Sequence, residues 1–221
     1  MTRRSSHTIS TKQRSGYFHL KKQSKNKRDK ERNGDVQNFN ENLAVSQLAE
    51  VFAISLGKSK ECAKQIGLAA SLHDVGKKLI DPAIINKPDK LTPEEFEIMK
   101  THTNLGAWLM YDIPGDFGKM VSMVCKYHHE WHNGEGYWKI PTSQLPDYIP
   151  IISIVDVFVA CLSSRSYKDA WPPERVLEYL EARSDTQFSS HIVDSFIHLI
   201  RNNKEARAIF SEANTKGDDV M

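Results

Sequence analysis

The sequence predicts an all-α fold, a bundle of about seven helices that follows a disordered basic tail. Three observations predict it. From about residue 40 to residue 203, apolar residues recur at three- and four-residue spacing, which is the period of a buried helix face. No stretch alternates apolar and polar residues as a half-buried strand does. Capping residues and glycines stand where the periodic stretches begin and end.

Composition and charge divide the chain into three expected parts. We expect a disordered tail over residues 1–36, a helical domain over 37–205 and a C-terminal tail over 206–221. Residues 1–34 contain 11 lysine and arginine residues against only Asp29 and Glu31, and too few aliphatic residues to fold alone. Such a tail predicts either a solvated segment or a contact with nucleic acid or an anionic membrane.

The remaining bulk features indicate a soluble intracellular protein. The hydrophobic fraction is 39% and the charged fraction 26%, as in globular domains. The three cysteines include no C-x-x-C pair, so we interpret them as reduced core thiols. The longest apolar stretch, residues 148–162, is too short to span a bilayer and contains Asp156. No apolar run begins the sequence, so we expect no signal peptide and a cytoplasmic location.

The helices are predicted in order from their caps. The first covers residues 41–57 and ends at Gly57, and the second follows Ser59 as its N-cap. Thr92 opens a capping box with proline at the first helical position, which predicts a third helix through about residue 110. Four further predicted helices cover residues 116–130, 149–163, 173–183 and 190–203.

Residues of the types that bind metals are spread over four of these helices. Each of the four helices carries one or two of them, and a helical bundle can direct such side chains to a common centre. They are His73, Asp74, His102, His128, His129 and Asp156.

Asp156 is the most informative of them, because a carboxylate among isoleucines, valines and a phenylalanine needs a cation or strong hydrogen-bond donors. A capping or hydrogen-bonded aspartate is the alternative. Four imidazoles and two carboxylates suit two ions bridged by a carboxylate, for which Asp74 is the natural choice. Nitrogen and oxygen ligands without thiolate favour iron or manganese. Two such ions can hold a bridging hydroxide and stabilise displacement at phosphorus, and Lys77 could meet a phosphate oxygen or the leaving group.

Five motifs, taken in order and spacing, resemble the HD-GYP family over roughly residues 41–200. They are "HDVGK" (73–77), "NKPDKLTPEEFEIMKTHTNLG" (86–106), "HHEWHNGEGYW" (128–138), "IVDVFVACLSSRSYKDA" (154–170) and "DTQFSSHIVDSF" (185–196). The resemblance implies an HD-domain-type bundle and a metal-dependent phosphodiesterase. Such enzymes hydrolyse cyclic di-GMP to linear pGpG and often on to GMP, and some members act on cyclic GMP-AMP instead.

The resemblance also implies roles for individual residues. The six metal-type residues named above match the metal ligands of the family, and Lys77 matches its active-site lysine. Arg165 and Lys168 match the basic residues that grip the substrate phosphates. Tyr137 belongs to the loop that shapes the site, where it could stack on a guanine, and this loop docks a regulatory protein in some members. Glu130 follows the two histidines, and we expect it to bond to a ligand histidine.

The sequence departs from the family pattern in the loop and in the ligand set. Trp138 replaces the proline of the GYP motif. Glu41 falls near the position of a further histidine ligand, and glutamate can also bind iron or manganese. The extra glutamate of three-metal members would fall near Gln37, which favours two ions. Two alternatives stay open: a hydrolase for another phosphoester, such as cyclic GMP-AMP, or a degenerate domain that binds a cyclic dinucleotide or a protein without turnover.

Overall fold

The computed structural model of the chain describes residues 40–163 and 170–215. These residues form ten α-helices and two short 3-10 helices, Val75–Leu79 and Thr142–Gln144. The α-helices are α1 (40–55), α2 (Lys60–Ala70), α3 (Pro82–Ile85), α4 (Pro93–Lys100), α5 (His102–Met110), α6 (Gly115–Tyr127), α7 (Tyr148–Leu162), α8 (Pro173–Glu181), α9 (Ser190–Asn202) and α10 (Lys204–Thr215). The predicted tail 1–36 lies outside the described residues.

The all-α prediction is confirmed, since the described part of the chain contains no strand and only an isolated bridge between Ser184 and Phe188. Both predicted caps are present. The Ser59 hydroxyl accepts from the backbone N–H of Cys62, and Thr92 and Glu95 form a reciprocal capping box. These bonds satisfy N–H groups that a helix start leaves unpaired, which is why the helices begin where the sequence predicts.

Two elements differ from the expectations. The third predicted helix is divided into α4 and α5 at Thr101, whose hydroxyl donates to the carbonyl oxygen of Ile98. The helix α10 occupies most of the segment that we expected to be a C-terminal tail from residue 206. It packs against the domain through Ala206, which is fully buried, and through Phe210, whose ring centroid lies 5.5 Å from that of Phe158.

The helix α7 lies at the centre of the core. Ten of its 15 residues are buried, and it contacts α2, α6, α8, α9 and α10. Phe196 of α9 packs edge-on between Phe52 and Phe158, with centroid distances of 5.0 and 5.1 Å. A helix that is apolar on nearly every side must be enclosed by others. Asp156 therefore projects from a helix that five others enclose.

No α-helix within residues 40–163 and 170–215 combines the length and the apolar character that crossing a membrane requires.

Candidate metal centre

The His73–Asp74 pair lies in the turn between α2 and the 3-10 helix Val75–Leu79. This segment packs directly on the backbone of α5 because residue 76 is glycine. A Cβ atom at position 76 would lie 1.9 Å from the carbonyl oxygen of His102 and 2.5 Å from the backbone nitrogen of Gly106. Atoms cannot approach so closely. Gly76 is thus what allows Asp74 and His102 to meet.

Three buried imidazoles are oriented by hydrogen bonds from Nδ1 to backbone carbonyl oxygens. The bonds are His73 to Ala70 (2.7 Å), His102 to Met99 (2.7 Å) and His128 to Val124 and Cys125 (3.0 Å each). A carbonyl oxygen only accepts, so each Nδ1 carries a proton. Nε2 is then the atom that each ring directs to the centre, as in histidines that bind metals.

Asp74 lies where these Nε2 atoms converge. Its Oδ1 is 3.2 Å from Nε2 of His102 and 3.7 Å from Nε2 of His128, and its Oδ2 is 3.2 Å from Nε2 of His73. Although His102 is so close, Oδ1 is buried and receives no hydrogen bond among the described residues. A buried carboxylate oxygen that faces ring nitrogens and receives no hydrogen bond is unfavourable unless a cation meets it. These residues therefore fit a bound metal ion.

The ligand atoms form two groups that share His128. One group comprises Asp74, His102, His128 and His129, and the other comprises His73, His128 and Asp156, with ligand atoms no more than 4.8 Å apart within each group. His128 is the C-cap of α6 and His129 follows it, so the two adjacent rings converge at a helix end with centroids 4.0 Å apart. Two adjoining groups of nitrogen and oxygen atoms suit one or two divalent cations.

The carboxylates and His73 hold one another in their charged forms. Burial by itself would lower the pKa of His73, but Asp74 and Asp156 outweigh it and raise this pKa to about 10. Burial by itself would raise the pKa of Asp74, but Lys77 and His73 hold it well below its usual range. Burial by itself would also raise the pKa of Asp156, but the charge and the hydrogen bond of His73 lower this pKa below its usual value. Both carboxylates are therefore anionic at neutral pH.

The adjacent histidines are affected in the opposite direction. Burial lowers the pKa of His129 to about 4. Burial, with the neighbouring imidazoles of His129 and His73, holds the pKa of His128 well below its usual range. Both rings are neutral at pH 7, which is the form that binds a metal ion.

Lys77 and Tyr137 complete the surroundings of the centre. The ammonium of Lys77 forms an ion pair with Oδ2 of Asp74, and its side chain is one-third exposed. The ring of Tyr137 lies 4.5 Å from that of His129 and 6.4 Å from that of His102. Burial, with Asp74 and Asp156, raises the pKa of Tyr137 to about 12, so its hydroxyl remains a hydrogen-bond donor.

Glu130 is fully buried, and its contacts differ from the expected bond to a ligand histidine. Its Oε1 accepts from the backbone N–H of Trp138 at 2.6 Å, and its Oε2 accepts from that of Ile140 at 2.8 Å. Lys139, between these two residues, has a φ of 58°, which is unusual for a side chain other than glycine. Glu130 therefore fixes the shape of the loop 131–140 and acts on the centre through it.

Glu41 is the remaining predicted ligand, and two predicted phosphate-binding residues remain to be placed. Glu41 is half-buried at the start of α1 and belongs to neither group of ligand atoms in the described residues. The predicted phosphate-binding residues, Arg165 and Lys168, lie outside the described residues. The spacing that suggests Glu41 as a ligand has no fixed point in the sequence, and the described structure gives it no support.

The sequence did not reveal three contacts that hold the centre together. The Ser153 hydroxyl donates to the carbonyl oxygen of His128 at 2.6 Å, and the indole N–H of Trp138 donates to the Thr103 hydroxyl at 3.2 Å. Gly76 is the third. A glycine between the HD pair and Lys77 is a signal that could have been noticed, whereas nothing local pairs Trp138 with a residue 35 positions away.

The helical bundle and its His–Asp centre define the HD-domain class of proteins. The comparison with protein families agrees, since the model described as "HD domain" matches residues 8–192. The chain therefore belongs to the HD domain family, and its resemblance to HD-GYP proteins is confirmed.

Several relatives are similar over most of this chain but are longer. The cyclic di-GMP phosphodiesterase response regulator RpfG of Xanthomonas campestris is 34% identical over 188 residues, which cover 83% of this chain and 48% of RpfG. A cyclic di-GMP phosphodiesterase of Thermotoga maritima is 32% identical, covering 75% and 45%. The 3'3'-cGAMP-specific phosphodiesterase 2 of Vibrio cholerae is 34% identical, covering 68% and 29%. The chain thus spans less than half the length of these relatives.

Solved structures share the fold. An HDG"Y"P protein of Bdellovibrio bacteriovorus superposes with a TM-score of 0.60 at 18% identity, over 73% of this chain and 52% of that one. The HD domain of the L. monocytogenes phosphodiesterase PgpH, in complex with cyclic di-AMP, gives 0.53 at 18% identity, over 84% and 93%.

Proposed function

We propose that the chain is a metal-dependent phosphodiesterase that hydrolyses cyclic di-GMP to linear pGpG, GMP or both. The observation that carries the proposal is the convergence of three oriented Nε2 atoms on Asp74, whose buried Oδ1 has no hydrogen bond in the described structure. The names of relatives such as RpfG support the substrate class.

Six residues would hold the metal, and we propose two ions of iron or manganese. The residues are His73, Asp74, His102, His128, His129 and Asp156. Bound ions would supply Lewis-acid stabilisation of charge at phosphorus and would activate water as the nucleophile. The protein would contribute the fixed positions of these ligands, since three imidazoles are tied to the backbone and Asp156 projects from the core helix α7.

The other residues of the site would act on the phosphate directly. Lys77 lies beside Asp74 and is partly exposed, so its ammonium can meet a phosphate oxygen or the departing oxygen. Tyr137 can donate a hydrogen bond from its neutral hydroxyl. Arg165 and Lys168 stay predicted phosphate contacts.

A second candidate substrate is 3'3'-cGAMP, because one of the relatives at 34% identity is specific for it. The metal centre would perform the same displacement on either molecule, so the chemistry of the centre does not separate them. The ratio of the two kcat/KM values would separate them. It is measured by hydrolysis of cyclic di-GMP and 3'3'-cGAMP at equal concentrations, followed by chromatography.

Several further statements belong to the same proposal. They are a cytoplasmic location, a role in signalling, a regulatory protein bound at the loop 131–140, and contact of the basic tail with nucleic acid or membrane. Parts of the loop 131–140 are exposed, which supports the binding of a regulatory protein there.

The test is hydrolysis of cyclic di-GMP by the full chain, loaded anaerobically with Fe(II) or Mn(II), with bound metal measured on the same samples. We expect linear dinucleotide or GMP from the wild type, and loss of both product and metal in Asp74→Asn. Asp116→Asn is the matched control, since Asp116 is fully exposed and pairs with Lys119 at the surface. Bound metal without turnover of either cyclic dinucleotide would favour the degenerate binding domain, and absence of bound metal would contradict the enzyme.

A further inference from the structure

Two aromatic rings follow one another from the candidate ligand His129. Tyr137 contacts His129, and Phe96 of α4 meets Tyr137 edge-on with centroids 5.8 Å apart. Phe96 is 43% exposed although it is a large apolar side chain. The exposed ring therefore stands one side chain away from a candidate metal ligand.

Lys100 places a positive charge above the same rings. Its Nζ lies 5.7 Å from the ring centroid of Phe96 and 6.0 Å from that of Tyr137. The ammonium pairs with Oε1 of Glu97 at 2.6 Å. An ammonium has three N–H donors, so the pair with Glu97 leaves two for a ligand.

The chain connects this group to the centre over a short distance. The helix α4 is held at its start by the capping box of Thr92 and Glu95, and Lys87 forms an ion pair with Glu95. At its end α4 leads directly into α5, whose first residue is His102. Lys100 is thus two residues from a ring that faces the metal centre, and Phe96 lies one helical turn before it on α4.

We propose that Phe96 and Lys100 form a nucleobase subsite that selects guanine over adenine. This inference rests on the proposed function, because it takes the phosphate to be bound at the metal centre. Guanine presents two acceptors, N7 and O6, on the edge where adenine presents one acceptor and an amino donor. Lys100 would donate to guanine and oppose the amino group of adenine. Phe96 would stack on either base, since every base has an aromatic face.

The test measures dissociation constants of GMP and AMP for the Mn(II)-loaded full chain by calorimetry. These mononucleotides offer the metal centre the same phosphate and differ only in the base. We expect the wild type to prefer GMP, and Lys100→Met to reduce the AMP-to-GMP ratio of dissociation constants about tenfold. Lys100→Arg keeps the charge and should keep the preference. Phe96→Leu should raise the dissociation constants of both nucleotides by a similar factor.

Lys119→Met is the matched control, because Lys119 also pairs with an acidic residue three positions away but is 80% exposed on α6. It should leave both constants unchanged. If the wild type hydrolyses cyclic di-GMP yet Lys100→Met keeps the wild-type ratio, the subsite is wrong while the proposed function stands. If the wild type neither binds GMP nor hydrolyses cyclic di-GMP, both fail together.

Discussion

Replacing Glu130 by glutamine removes half of the support of the loop 131–140 without changing the size of the side chain. Glutamine keeps one carbonyl oxygen, but its amide nitrogen would face a backbone N–H, either that of Trp138 or that of Ile140. Two donors then meet in a site where the side chain is 1% exposed and water has no access. One strong hydrogen bond is lost and a buried donor is left without a partner.

The expected cost is about 2 kcal/mol, the typical contribution of a hydrogen bond to a charged group. The left-handed backbone conformation of Lys139 costs about 1 kcal/mol, and the two hydrogen bonds to Glu130 offset this cost. We expect the loop to open locally and the melting temperature to fall by about 6 °C. Tyr137, which the loop carries to His129, would then be misplaced, so turnover of cyclic di-GMP should fall as well.

Thermal unfolding by circular dichroism and hydrogen exchange of the Trp138 and Ile140 amides would measure these effects. Glu135→Gln is the control, because Glu135 belongs to the same loop but is exposed. If Glu130→Gln melts at the wild-type temperature and both amides exchange at wild-type rates, the two hydrogen bonds of Glu130 do not support the loop.

Three further predictions concern the glycine contact, the charge of the site and a buried thiol. Gly76→Ala should lower the melting temperature and the bound metal together, because its Cβ would lie 1.9 Å from the His102 carbonyl oxygen; unchanged metal content would contradict this. Asp74 and Asp156 raise the pKa of His73 to about 10, so this ring carries an extra proton in the metal-free site. The ring must lose that proton before it can bind a metal ion. Affinity for Mn(II) should therefore rise from pH 6 to pH 10 and fall on acidification, with proton release visible by calorimetry in two buffers; an affinity independent of pH would contradict it. Burial raises the pKa of Cys125 to about 12, so iodoacetamide at pH 8 should leave Cys125 unmodified in the folded protein, as mass spectrometry would show; rapid labelling of it would be the contrary result.

The positions of the predicted ligands could be taken from the sequence because each lies within a helix or shortly after the end of one. The structure brings together His73, His102 and His128, which a capped helix or a helix end presents at known places. Asp156 was conspicuous because the apolar residues around it leave a carboxylate few other roles.

Other features depend on contacts between distant segments, which a single sequence does not display. The partners of Glu130 were missed because they are backbone N–H groups whose direction is set by the left-handed residue Lys139. The third predicted helix divides at Thr101, whose hydroxyl donates to the carbonyl oxygen of Ile98 and which precedes the close packing of Gly76 on His102. The helix α10 has few apolar residues, and its packing through Phe210 against Phe158 becomes visible only in the folded domain.

The central claim is that the six clustered residues hold metal ions, and diffraction at the manganese absorption edge from crystals grown with Mn(II) tests it most directly. We expect anomalous peaks among the imidazole nitrogens and carboxylate oxygens of the two groups, close to Asp74 and Asp156. Asp74→Asn should lose them. Fully ordered side chains around Asp74 with no anomalous peak at saturating Mn(II) would contradict the claim.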